Sequence, residues 1–148
     1  MEENVKPEYR RKDFSQDLYD RYDKMGKDAA TEHFKCWGIN LIPHPNIKDV
    51  DFIMEDGTIL DVEVRPPWTG PIFPFSTIHV LKRKERYFNQ KFFMMFINNN
   101  AEYALLLREY QIKDCPVEHK PNYLNKNEYV FDVPSNIGTI IKLRRATS

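Results

Sequence analysis

Three charged side chains alternate along one short stretch of the chain, in a pattern that could bind a cation. Asp61, Glu63 and Arg65 are separated from one another by single valines. Side chains of a β-strand point alternately to its two faces, so these three groups share one face. Burying a charge without a partner is unfavourable. The pattern therefore indicates either a solvated edge strand or a site that uses the charges.

A fourth charged residue, Asp51, lies on the neighbouring strand of a predicted β-hairpin. Two runs rich in β-forming residues flank the dipeptide Asp56-Gly57, which is typical of tight hairpin turns because glycine accepts a positive φ. The hairpin would bring Asp51 towards Glu63, so both carboxylates could bind one cation. Mg²⁺, with Mn²⁺ as a substitute, suits a site of a few carboxylates, water and substrate phosphate. Such an ion would activate water and neutralise charge on the phosphate.

The hairpin resembles the PD-(D/E)XK nuclease superfamily in three successive segments: Asp51-Phe52-Ile53-Met54, Asp56-Gly57 and Asp61-Val62-Glu63-Val64-Arg65. Members of that superfamily carry an Asp on one strand of a hairpin and Glu-x-Lys on the next. An acidic helix precedes the hairpin, and a further strand and helix follow it. The resemblance covers about residues 26–107. It implies a restriction-endonuclease-like core, Mg²⁺-dependent hydrolysis of DNA phosphodiester bonds, and a homodimer acting on two strands.

The resemblance also implies roles for individual residues. Asp51 and Glu63 correspond to the metal ligands of the superfamily, together with the main-chain carbonyl of Val64. Glu32 corresponds to the acidic residue of the preceding helix, with Asp28 as an alternative.

Arg65 stands where the superfamily usually has lysine, and Asp61 has no fixed counterpart there. Arginine stays protonated and presents a planar fork of donors, so Arg65 suits phosphate binding better than proton abstraction. Lys82 and Lys84 follow the next predicted strand, and Lys84 is the preferred substitute for the missing lysine. The alternative is a catalytically inactive protein that keeps the nuclease fold and acts as a nucleic-acid-binding or assembly module.

Basic and aromatic side chains after the hairpin are candidate contacts to DNA. Lys82, Arg83 and Arg86 belong to a predicted short helix, and residues three or four apart on a helix can form a phosphate-facing patch. A solvated helix face is the alternative. Trp68 and Phe73 lie in a proline-rich segment and could stack on an unpaired base. The alternative is that they attach this segment to the core.

The elements that position these residues follow from hydrophobic periodicity. A loose charged lead-in over residues 1–13 precedes a helical pattern from residue 15 to about residue 37, which Gly26 could divide into two helices and Gly38 ends. Residues 66–76 and 111–127 are predicted loops. Strands are predicted at residues 50–54, 59–65, 77–81, 92–97 and 103–107, and residues 39–42 are a brief strand or an extended segment. Residues 128–133 and 139–143 are two late strands, or one strand with an extended return. This order favours one α/β domain over residues 1–148, with a mixed central β-sheet flanked by helices.

Composition restricts the class of function. The 22 basic residues balance the 22 acidic ones, which disfavours binding of nucleic acid through overall positive charge but is compatible with a local basic groove. No apolar stretch is long enough to span a membrane, and the polar N-terminus does not resemble a signal peptide. We therefore expect a cytoplasmic protein, in the host cytoplasm if the source is viral. Cys36 and Cys115 are too few for a disulfide framework.

Overall fold

Helices and two β-sheets make up the structure. The computed structural model describes residues 2–121 and 126–145, with side chains from Gln16 onward. Helix α1 spans Glu2–Cys36 and the short helix α2 spans Glu109–Ile112, while 3₁₀ helices occupy Lys82–Tyr87 and Ser135–Ile137. The described residues contain these strands: β1 (Ile42–Pro43), β2 (Phe52–Ile53), β3 (Ile59–Val64), β4 (Thr77–Leu81), β5 (Phe92–Ile97), β6 (Tyr103–Arg108), β7 (Val117–His119), β8 (Tyr129–Pro134) and β9 (Thr139–Lys142).

The strands form a six-stranded sheet and a separate three-stranded sheet. The larger sheet has the order β1-β2-β3-β5-β6-β9, and the smaller has the order β4-β8-β7. Strands β3 and β5 are parallel, and the other pairs are antiparallel. The predicted mixed α/β architecture is therefore confirmed. The predicted strand at residues 77–81 is also confirmed, although it belongs to the smaller sheet.

Helix α1 packs tightly on one face of the larger sheet. Ala29 and Ala30 of α1 share a buried cluster with Leu60 and Val62 of β3. A Cβ atom added to Gly26 would lie 2.7 Å from Cγ2 of Val64, so the glycine permits this close approach. The helix runs through Gly26 without interruption, and the possible division there was wrong because the glycine serves packing.

A second hydrophobic cluster lies on the opposite face of the larger sheet and includes residues of the smaller sheet. Ile59 of β3 and Phe92 of β5 share this cluster with Val80 of β4 and Phe131 of β8. The side chains of β3 alternate, so Leu60 and Val62 face α1 whereas Ile59 lies in the other cluster. Asp61 and Glu63 are therefore directed towards the side of the second sheet.

Several predicted boundaries were wrong, for identifiable reasons. Residues 2–13 are helical rather than loose, and this stretch is rich in Glu, Lys and Arg, which are good helix formers. The predicted loop 111–127 includes strand Val117–His119, whose residues are all exposed. An exposed edge strand has no apolar alternation to reveal it. Residues 122–125 of that predicted loop lie outside the described residues.

The predicted turns are confirmed at two glycines. Gly57 has a φ of 88° in the hairpin turn, and Gly38 has a φ of 77° directly after α1. The amide of Ile39 donates to the carbonyl of Phe34 at 2.9 Å, which closes the end of the helix. Within the described residues, none of the helices is both long and apolar enough to cross a lipid bilayer.

Candidate functional site

The candidate site lies where strand β2 separates from β3. The two strands pair only at Phe52↔Leu60 and Ile53↔Ile59, so the predicted strand over residues 50–54 is shorter than expected. Extending the same register by one residue places Asp51 opposite Asp61. At this point a side-chain hydrogen bond replaces the backbone hydrogen bonds between the two strands.

The carboxylate of Asp51 forms a hydrogen bond at the exposed edge of β3, where β2 no longer pairs with it. Its Oδ2 accepts a hydrogen bond of 2.8 Å from the amide of Val62. Its Oδ1 lies 3.3 Å from Nζ of Lys27 on α1. Lys27 also contacts Asp23, one helical turn earlier, at 3.0 Å. Burial lowers the pKa of Lys27, but hydrogen bonds and the charges of these two carboxylates outweigh it and leave that pKa raised.

The carboxylate of Asp61 is almost completely buried beside a lysine. Nζ of Lys84 lies 2.9 Å from Oδ2 of Asp61 and also donates to the carbonyl of Asp49. The pKa of Asp61 is raised to about 7, mainly by burial; the charge of Lys84 opposes the rise, and the neighbouring carboxyl of Asp51 adds to it. The charge of Asp61 is thus incompletely compensated by its lysine.

Glu63 and Arg65 form a second ion pair on the same face of the strand. Nε of Arg65 lies 2.8 Å from Oε2 of Glu63. The Arg65 guanidinium also donates to the carbonyl of His79 at 3.0 Å and lies over the ring of Phe96. Burial raises the pKa of Glu63, and the charge of Asp51 adds to the rise, while Arg65 and Lys84 oppose it.

A cavity of about 600 Å³ brings most of these groups together. Its carboxylates are Asp23, Asp49, Asp51, Asp61 and Glu63, and its basic residues are Lys27, Lys48, Arg83 and Lys84. Arg65 instead lines a neighbouring cavity of about 210 Å³, and Glu63 and Val64 line both cavities. Arg65 therefore lies beside the larger cavity, which five predicted site residues line: Asp51, Glu63, Val64, Arg83 and Lys84.

The donor set of this cavity suits a hard divalent cation. All its side-chain acceptors are oxygens, and Asp51 and Asp61 are adjacent. The amide of Arg65 bonds to Ile97 of β5. By alternation, the carbonyl of Val64 faces the exposed edge of β3 on the cavity side. Within the described residues, these carboxylates do not bring three oxygens within 4.8 Å of one another. Mg²⁺ needs only one or two carboxylates, completed by water.

The acidic residues predicted on α1 lie outside the cavity. Glu32 forms an ion pair of 2.9 Å with Arg145, and Asp28 pairs with Lys24 on the exposed side of the helix. Residue 32 is nine positions beyond Asp23, which places it about 13 Å further along the helix axis. The acidic residue that α1 contributes to the cavity is thus Asp23. The predicted position of Glu32 at the site was wrong.

The predicted contacts to nucleic acid have different outcomes. Arg83 is half exposed and lines the cavity, whereas Lys82 pairs with Glu85 and Arg86 lies 3.0 Å from Asp49. Trp68 is completely buried in the core, with its ring 5.3 Å from that of Phe73. The prediction that Trp68 stacks on a base was wrong, because it attaches the proline-rich segment to the core.

Sequence reasoning missed the contribution of α1 to the cavity. Asp23 and Lys27 are four residues apart, and this spacing places them on one face of a helix. Tyr19 precedes Asp23 by the same interval and also lines the cavity. The repeated interval was visible in the sequence. Whether these side chains face the cavity depends on how the helix is rotated on the sheet.

Comparison of the chain with models of protein families, with curated proteins and with solved structures gave no match. The geometry of the cavity is therefore the basis for a functional assignment.

Proposed function

We propose that this protein is a metal-dependent nuclease that hydrolyses phosphodiester bonds of DNA, with a core similar to that of the PD-(D/E)XK superfamily. One observation carries the proposal: Asp51, Asp61, Glu63 and Lys84 line a single cavity beside an exposed strand edge. Asp51 directly precedes β2, two of the others lie on β3, and Lys84 follows a strand of the second sheet. Convergence of charged groups from separate elements is typical of a catalytic site.

The acids of the cavity would hold the metal. Asp51 and Asp61 would bind Mg²⁺ or Mn²⁺, with Glu63 and the carbonyl of Val64 as further ligands. The bound ion would supply Lewis acidity and an activated water. Asp61 supports this role because its carboxyl is desolvated, with a pKa raised to about 7, and a divalent cation would compensate the charge that burial disfavours.

Lys84 takes the place of the lysine that the hairpin lacks. Its ammonium is fixed between the carbonyl of Asp49 and the carboxylate of Asp61, so it holds Asp61 in place and sets a positive charge at the cavity wall. Arg83 and Lys48 line the same cavity and are suited to bind the DNA phosphates.

One observation favours the catalytically inactive alternative. Each of the three central carboxylates already has a basic partner, in the pairs Asp51–Lys27, Asp61–Lys84 and Glu63–Arg65. Such a network would also hold the helix and the two sheets together without any metal. The fold would then serve as a nucleic-acid-binding or assembly module.

A cleavage assay separates the two functions. Labelled duplex, single-stranded, flap and junction DNA are incubated with Mg²⁺, Mn²⁺ or EDTA. We expect metal-dependent cleavage, which Asp51→Asn and Glu63→Gln reduce by roughly 10²-fold or more. Glu32→Gln is the matched control, because that carboxylate pairs with Arg145 outside the cavity, and it should cleave as the parent does. Absence of cleavage on every substrate would refute the proposal. A homodimer stays a prediction, which sedimentation of the intact protein would test.

A further inference from the structure

A second group of candidate metal ligands lies on the three-stranded sheet. Nε2 of His79 is 3.0 Å from Oε1 of Glu118 and 3.2 Å from Oδ1 of Asp132. One ligand atom from each residue lies within 4.8 Å of the other two. Among the described residues, this is the only group of three such ligands that satisfies this distance. None of the three lines the 600 Å³ cavity.

These distances are close to those of a coordinated zinc ion. Zinc binds His nitrogen and carboxylate oxygen at about 2.0–2.2 Å in a tetrahedron, which places adjacent ligand atoms about 3.3–3.6 Å apart. The two distances from His79 differ from that range by a few tenths of an ångström. Side-chain rotations of this size would bring both carboxylates to zinc-like spacing from Nε2 of His79, and the two carboxylate oxygens already lie within 4.8 Å of each other.

The charges at this point also favour a cation. Nε2 of an imidazole carries at most one proton, so it can donate well to only one of the two carboxylates that approach it. Among the described residues, no Lys or Arg forms an ion pair with Glu118 or Asp132, and both carboxylates instead contact His79. The two carboxylates thus leave negative charge uncompensated beside a nitrogen ligand.

The backbone holds the three ligands in a defined arrangement. His79 on β4 is directly opposite Asp132 on β8, and Glu118 lies on β7, the other neighbour of β8. The amide of Asp132 donates to the carbonyl of Pro116 at 2.7 Å, which fixes β7 against β8 near the ligands. Ligands on adjacent strands are positioned more precisely than ligands on loops.

We propose that His79, Glu118 and Asp132 form a binding site for Zn²⁺ or a similar first-row divalent ion, with water in the remaining position. The histidine nitrogen separates this site from the all-oxygen cavity, because Mg²⁺ prefers oxygen ligands. A bound ion would connect the two outer strands of the small sheet through the central one. Arg65 contacts the backbone of the same strand, because it donates to the main-chain carbonyl of His79.

Metal titration of the tag-free full-length protein tests this site without any assay of cleavage. Calorimetry with Zn²⁺ is carried out in excess Mg²⁺, and Co²⁺ absorption reports the coordination geometry. We expect one Zn²⁺ per chain and a tetrahedral Co²⁺ spectrum. His79→Ala and Glu118→Gln should each weaken binding at least tenfold, as should Asp132→Asn. Since Glu118 is about half exposed, Glu118→Gln keeps the fold even if His79→Ala does not.

Two control variants identify the site. His119→Ala removes a neighbouring exposed histidine, which contacts the carbonyl of Lys126, and it should bind Zn²⁺ as the parent does. Asp61→Asn alters the acidic cavity and should leave Zn²⁺ affinity unchanged. No binding of Zn²⁺, or binding that depends on Asp61 and not on His79 and Glu118, would overturn the proposal. Either result is independent of whether the protein cleaves DNA.

Discussion

Nζ of Lys84 lies 2.9 Å from Oδ2 of Asp61, and both side chains are more than nine-tenths buried. The pair joins the two sheets, because Asp61 is on β3 and Lys84 follows β4. Removing one partner of a buried ion pair leaves the other charge uncompensated, which is usually more costly than the net gain from the intact pair.

Replacement of Lys84 should reduce both stability and activity. In Lys84→Met, the loss of stability should be larger at pH 8 than at pH 6, since Asp61 can take up a proton at the lower pH and avoid a buried charge. Cleavage at saturating DNA should slow by roughly 10²-fold, as expected for the loss of one preorganised charge. Urea unfolding at both pH values and single-turnover rates measure the two effects.

Lys82→Met is the matched control for that experiment. Lys82 is two residues earlier in the same 3₁₀ helix and pairs with the exposed Glu85, so its replacement should change stability by less than about 0.5 kcal/mol. Equal effects of the two substitutions would show that burial of Lys84 has no special role.

The raised pKa of Asp61 predicts a pH-dependent difference in stability. Burial raises this pKa from 3.8 to about 7, so between these values the folded state binds more protons at this group than the unfolded state does. The contribution of Asp61 to stability must then fall as pH rises through this window, with a slope of at most about 1.4 kcal/mol per pH unit.

Comparison of the parent with Asp61→Asn isolates this titration. The stability of the parent relative to the variant should decrease from about pH 4 to pH 7 and be constant above that range. Urea unfolding at half-unit intervals of pH measures the difference. A difference that does not change with pH would mean that Asp61 titrates normally in the folded protein.

Arg65→Lys should affect stability more than catalysis. The guanidinium contacts Glu63 and the carbonyl of His79 at once, and a lysine cannot reproduce both contacts. We expect a loss of about 1–3 kcal/mol in unfolding free energy, with single-turnover cleavage within a few-fold of the parent. A hundredfold slower reaction in the folded variant would assign the catalytic charge to Arg65 instead of Lys84.

Gly26→Ala should destabilise the protein through overpacking. The new methyl group would lie 2.7 Å from Cγ2 of Val64, and forcing extra atoms into a packed contact typically costs about 1–3 kcal/mol. Addition of Val64→Ala should recover part of the loss. The double variant should therefore lose less unfolding free energy than the sum of the losses in the two single variants. Asp28→Ala, on the exposed side of the same helix, controls for helix propensity.

The local parts of the site were predictable from sequence, because they depend on neighbouring residues. The Asp56-Gly57 turn and strand alternation were sufficient to place Asp61 and Glu63 on one face next to Asp51. The extension of the Asp51 contact to the amide of Val62 was not predictable. This hydrogen bond depends on where the pairing of β2 with β3 ends and a side chain replaces the backbone partner.

The parts that depend on long-range packing could not be predicted. Whether Trp68 is buried depends on the core that it meets, and its proline-rich surroundings indicate only an irregular backbone. The pairing of β4 with β8 joins residues at least 49 positions apart. Hydrophobic periodicity within a segment does not indicate which distant segment it pairs with. The rotation of α1, which directs Lys27 to Asp51, is set by contact of Gly26 with the sheet.

Parallel pairing of β3 with β5 has a consequence for synthesis on the ribosome. Ile59 pairs with Phe92, so β3 has no partner on that side until the chain has grown 33 residues further. Lys84 lies within the intervening segment and is itself made before β5. A nascent chain that ends before β5 would carry the acidic residues in a hairpin open to solvent. Contacts between distant residues also slow folding. The buried Asp61–Lys84 pair can therefore form only after β5 has been made, and also after β8, which pairs with the strand that precedes Lys84.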